Sequence, residues 1–258
     1  MNHGDPGFPG LGDLPLRDSK SSPIPGVTWG FRDLVLGVVA ALVVFFVLGA
    51  TIVGSAMAAF GEDALETLLA EAAAVAMLDV VLVVTVLAVI ARKGAGLREL
   101  GFAAPRQGWP RMLGYIVLAY FAAIGLVNIY GILIDVFGLD LLEPSQQLPD
   151  DFYDHDSVVI LTGIAIVFMA PIAEEVFFRG FIFAGLRRYL NLPIAGSLSG
   201  ALFALAHGDP GLILPFAGVG LVLAFVYERS GSLWAPIGVH FVFNSVSFIL
   251  LLTIPEWR

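Results

Sequence analysis

The chain has 258 residues, of which 58% are hydrophobic and 14% charged, and its mean hydropathy is +0.90. Soluble domains carry about 25% charged residues, so this much apolar surface exceeds what a soluble core can hide and must face lipid. The net charge of −9 comes without a basic patch interleaved with aromatics, which argues against nucleic acid as a partner. The absence of Cys excludes disulfides, thiolate metal sites and a Cys nucleophile.

Residues 1–30 are rich in Gly, Pro, Ser and Asp and read as a disordered cytoplasmic tail. The apolar run from Leu34 to Phe60 is longer than the roughly 7–15-residue core of a signal peptide, so it reads as a membrane span. About 20 apolar residues cross a bilayer as a helix. By that rule spans are expected near 34–59, 72–91, 112–138, 157–186, 192–207, 212–228 and 235–253. Pro171 predicts a kink in the fourth, and the short fifth and sixth suit tilted or re-entrant segments. The expected fold is an all-α polytopic transmembrane helix bundle of about seven spans, with eight as the alternative. It divides into the tail 1–30, N-terminal transmembrane helices and loops over 31–156, and a catalytic core over 157–258. There is no internal repeat, Walker A loop or GxGxxG after a strand.

Lys and Arg in short loops set orientation. Arg17, Lys20 and Arg32 precede the first span. Arg92, Lys93, Arg98, Arg106 and Arg111 follow the second, Arg187 and Arg188 the fourth, and Arg229 the sixth. The links after the first and third spans carry only acids, among them Glu62, Asp63, Glu66 and Glu71, then Asp140, Glu143, Asp150, Asp151, Asp154 and Asp156. This alternation predicts a multi-pass protein of the cell membrane with its N-terminus cytoplasmic.

Ionisable side chains inside spans are costly and are functional candidates by default. They concentrate in the C-terminal half. Glu175 and Arg179, four residues apart, share a helical face and can neutralise one another. Glu174 lies about 100° round the helix and is left free to act as a general base for water. His207 follows Phe203 by one turn, and Asn244 follows His240 by one turn. Neutral imidazole can bind a metal, donate to an oxyanion or move a proton, and Asn244 can donate without carrying charge. Asp79, Asn128 and Asp135 read as structural or interfacial, and Phe203 as packing beneath His207. Gly180, Gly185 and Gly200 read as points of close helix approach.

Glu174-Glu175-x-x-x-Arg179, Phe203-x-x-x-His207 and His240-x-x-x-Asn244, in that order on apolar segments, resemble the motifs of the CPBP family, also called the Abi or type II CAAX prenyl endopeptidase family. Leu97-Arg-Glu-Leu-Gly101 also looks like the loop that precedes that core. The resemblance implies an all-helical intramembrane endopeptidase acting on a membrane-associated protein or peptide. In it Glu174 would activate water, His207 would complete its environment, and His240 and Asn244 would stabilise the oxyanion. Glu175 and Arg179 match the accompanying motif positions. Bacteriocin self-immunity, to which some relatives are linked, makes a non-catalytic scaffold or immunity protein the alternative. A proton-coupled transporter would predict inverted repeats, which are absent.

Glu174, His207 and His240 also form a possible His₂Glu set for a divalent ion such as Zn²⁺, which would make the protein a metalloprotease. The expectation leans toward glutamate chemistry without metal. Straight helices do not bring these residues to one depth. Glu174 lies about 20 Å from Arg187 and His207 about 25 Å from Leu190, but His240 only about 9 Å from Trp234. Either the last span begins deeper than drawn, or Pro171 and Pro236 mark bends.

Overall fold

A computed structural model describes residues 26–62, 64–145 and 150–254. Tail residues 1–25, with Arg17 and Lys20, and the loop acid Asp63 lie outside the described residues. Seven apolar helices are present among them: α1 (Phe31–Phe60), α2 (Leu65–Arg92), α3 (Trp109–Phe137), α4 (Asp156–Leu186), α5 (Leu192–Ala206), α6 (Ile213–Ser230) and α7 (Trp234–Thr253). All except α5 belong to segments long and apolar enough to cross a membrane. α5 has 15 residues and rises only about 22 Å, short of a hydrocarbon core of about 30 Å. The protein is a multi-pass all-α bundle, and each expected span coincides with one of these helices.

Lipid-facing helices are recognised by what they leave exposed. α1 and α3 expose Leu36, Phe46, Leu118 and Val136 outward. They bury mainly small or medium residues such as Gly37, Ala41, Ala119 and Ala123. α4 is the axis of the bundle. Its stretch Glu175–Phe183 is a π-helix with every residue buried. α1 and α2 pack together, and α2 lies along α4. α5 pairs with α6, and α3 covers α6 and α7.

The expected kink at Pro171 takes a different form. A first π-helical stretch, Ile164–Met169, runs into the proline, and the Ala170 N–H bonds back five residues to Ala165. Proline has no N–H to continue that register, which leaves the next carbonyl, that of Ile166, without its backbone partner. Such π-stretches open room within a helix for side chains and partners to reach the backbone.

The last span does begin deep, which resolves the depth mismatch. The loop between α2 and α3 tucks into the bundle beneath α7. Leu100 is fully buried, Leu233 N–H bonds to the Gly101 carbonyl at 2.9 Å, and Tyr227 donates to the Leu100 carbonyl at 2.9 Å. Gly180 on α4 abuts both Leu100 and Leu233. Leu233 therefore stands level with Gly180, and Glu174 and His240 lie about 9 and 10 Å further along their helices. Gly101 is required at its position. Its φ is +97° and a Cβ would stand 2.5 Å from the Tyr227 hydroxyl.

Residues 26–30 correct the boundary of the expected tail, because Val27 and Trp29 are buried in the main core. Trp29 Nε1–H donates to the Phe181 carbonyl at 2.9 Å, an acceptor on the π-helical part of α4.

Gly180, Gly185 and Gly200 serve as expected for close approach. At Gly200 a Cβ would lie 2.6 Å from the Ala217 carbonyl oxygen, and at Gly220 it would lie 2.5 Å from the Gly200 Cα. The α5–α6 crossing is thus backbone on backbone. Gly200→Val is expected to cost about 1–3 kcal/mol through overpacking, read as a lower thermal midpoint in detergent. An unchanged midpoint would show that the crossing tolerates separation.

Candidate active site

Glu175 sits at the centre of the bundle with its side chain fully buried. Its Oε1 accepts from Arg179 Nη1 at 2.8 Å and from His240 Nδ1 at 3.0 Å. A carboxylate can only accept, so the Nδ1 of His240 carries a proton and Nε2 points elsewhere. That atom stands 3.9 Å from Glu174 Oε2, which has no hydrogen-bond partner. The two glutamates thus divide as their helical positions suggest: Glu175 is held by the arginine, and Glu174 faces the free nitrogen of His240.

Arg179 is fully buried and multiply held. Nη2 donates to the Gly220 carbonyl at 3.2 Å, and the guanidinium lies 4.5 Å from the Phe203 ring centroid. The cation–π contact and the ion pair make an otherwise costly charge tolerable in this apolar setting. The close α5–α6 crossing brings the Gly220 carbonyl within reach.

Phe203 does more than pack beneath His207. Its carbonyl accepts from His207 Nδ1 at 2.8 Å, its ring lies 4.7 Å from the His207 ring, and it meets His240 edge-on at 5.8 Å. It also packs edge-on against Phe178. One aromatic therefore touches all three motifs. The helical i,i+4 spacing to His207 was visible in the sequence; its contacts with Arg179 and His240 depend on tertiary packing.

Asn244 reaches the orphaned acceptor of α4. Its Nδ2 donates to the Ile166 carbonyl at 2.8 Å, replacing the bond that Pro171 cannot make. One amide hydrogen is committed to this structural task, and the other remains for a ligand. Asn244, His207 and His240 line a cavity of about 30 Å³ with Ala123, Phe216 and Phe243. That volume holds one or two waters.

Beyond His207 the chain turns at Gly208, and the Asp209 carboxylate accepts from Gly211 N–H at 2.8 Å and Ser145 N–H at 2.9 Å. Asp209 thereby fastens the α3–α4 link beside the site. Its position directly after a predicted span end was the only sequence signal for it.

Among the described residues, no three His, Asp or Glu side chains form a group that could hold a metal ion. Of the expected set, Glu174 and His240 approach each other, while His207 is not grouped with them. Among the described residues these three are not gathered into a His₂Glu site.

Residues 156–246 match the family model described as type II CAAX prenyl endopeptidase Rce1-like. The chain is 31% identical over 118 residues to YdiL of Bacillus subtilis (strain 168), provisionally named a membrane peptidase. It is 27% identical over 154 residues to MroQ of Staphylococcus aureus (strain USA300), named a membrane-embedded CAAX protease. These matches cover 45% and 55% of this chain, and the chain spans 47% and 61% of the relatives' lengths. No solved structure matches significantly. All seven motif residues fall within the matched region, and the resemblance read from the motifs is shown there.

Proposed function

We propose that the protein is an intramembrane endopeptidase that hydrolyses a peptide bond in a membrane-associated protein or peptide, with Glu174 activating water. The observation that carries this reading is the 3.9 Å gap between Glu174 Oε2 and His240 Nε2, with His240, but not Glu174, also lining the water-sized cavity. A single water can hydrogen-bond both atoms at about 2.8 Å. Such a placement is what a general base requires.

In this reading Glu174 takes one proton from the water while its oxygen attacks the scissile carbonyl carbon. His240, held at Nδ1 by Glu175, presents Nε2 to the developing oxyanion and donates to it when protonated. The free amide hydrogen of Asn244 adds a second donor. The C–N bond then breaks, and the proton held by Glu174 passes to the leaving amine. His207 closes the polar side of the cavity. The MroQ name supports a CAAX-type substrate class, and the alternation of Lys and Arg among loops supports a cytoplasmic N-terminus in the cell membrane.

The test is cleavage of a library of membrane-anchored peptides, with and without prenyl groups, by the reconstituted protein. Products are expected, and they are expected to persist in excess chelator. Loss of cleavage on chelation and its return with Zn²⁺ would overturn the metal-free mechanism. No cleavage of any library member would count against the peptidase reading.

A further inference from the structure

The cavity beside the motif residues has two unlike sides. His207, His240 and Asn244 supply its polar side. Val219 and Leu223 on α6, Val239 on α7 and Ala123 on α3 close the other, and all four are buried. Apart from the groups already assigned to the chemistry, the lining is therefore apolar. A charged or strongly polar occupant would lose its water there without gaining a partner.

The room exists because position 123 is alanine. α3 is held closely against its neighbours on both sides of that residue. At Gly238 of α7 a Cβ would stand 2.7 Å from Ile116 Cδ1, and at Gly218 of α6 it would stand 3.3 Å from Leu126 Cδ1. Between these two contacts along α3, Ala123 is fully buried and faces the cavity. The cavity thus interrupts a closely packed seam at the one point where its wall is a single methyl group. Protein interiors contain few spaces as large as a water molecule, which makes the location of this one, against three motif side chains, informative.

We propose that the cavity is a specificity subsite: it takes the small aliphatic side chain, alanine to valine in size, of a substrate residue flanking the scissile bond, and Ala123 sets the upper limit on that size. This rests on the peptidase reading, and it adds a residue from outside the matched region 156–246. The size follows from the volume of about 30 Å³, which accommodates about one or two water-sized groups beyond the mouth. The position follows from the shared walls. His240 and Asn244, which face the scissile carbonyl in that reading, also line the cavity. The side chains nearest a scissile carbonyl are those of the two residues it joins.

The test lets the reconstituted protein act on a membrane-anchored peptide library of varied sequence and maps the cuts by mass spectrometry. At one position flanking the cut, the wild type is expected to favour alanine and valine over leucine, phenylalanine and charged residues. Ala123→Val, which fills the cavity, is expected to lower kcat/KM for valine relative to glycine at that position by about 10- to 200-fold, the range for a misfit of one methylene in a hydrophobic pocket. Ala123→Gly, which enlarges it, should move the preference toward leucine. A substitution that only loosened packing would lower all substrates together and leave their ratios alone. The proposal is overturned if the wild type shows no size preference at either flanking position, or if both variants keep the wild-type ratios; cleavage would then still support the peptidase reading. Should Ala123→Val fail to fold, the ratios in Ala123→Gly decide. Should the wild type cleave nothing, the peptidase reading falls and the subsite falls with it.

Discussion

Arg179→Met is expected to keep the protein from accumulating as a folded membrane protein. The guanidinium is wholly buried and joins Glu175 on its own helix, the Gly220 carbonyl on α6 and the Phe203 ring on α5. Removing it strands the Glu175 carboxylate with only His240 as a partner. Breaking a buried ion pair from one side costs about 3–5 kcal/mol, a large share of a typical total stability of about 5–15 kcal/mol. Lysine should not rescue the site, because a point ammonium cannot bond two acceptors on different helices and also stack on Phe203. The double variant Glu175→Gln, Arg179→Met should recover part of the loss, since it leaves no unpaired charge. Thermal midpoints and size-exclusion profiles in detergent check this ordering. A single Arg179→Met variant as stable as wild type would show that the pair is not what holds the centre together.

The legible part of this protein was its helices and its ionisable residues. Each apolar run became a helix because length and composition alone decide membrane insertion. The motif groups stood out because charge is costly in lipid. Depth was not legible. It depends on the link between α2 and α3 entering the bundle, where Leu100 and Gly101 support Leu233 through non-local bonds. Straight-helix arithmetic therefore started the last span too shallow. Asn244 looked like a free donor, because its bond to Ile166 arises only once the π-register meets Pro171. Proline within a long apolar helix does signal an orphaned carbonyl, and that signal pointed to the region though not to the residue that fills it.

Glu174→Gln is expected to lower kcat/KM by about 10²- to 10⁴-fold, the usual contribution of a general base. Gln is close to isosteric, so helix packing survives. The Glu175–Arg179–His240 network is untouched because none of its bonds runs through Glu174. What disappears is the capacity to take a proton from the water beside His240. The effect should therefore fall on chemistry, leaving membrane insertion, thermal midpoint and substrate affinity near wild type. A scaffold or immunity role would be indifferent to this change. The most direct measurement compares wild type and Glu174→Gln in matched proteoliposomes, with product peptides from one membrane-anchored substrate library read by mass spectrometry. Cleavage by the wild type and its loss in an equally folded Glu174→Gln protein is the predicted result; equal cleavage by both would contradict glutamate-activated water.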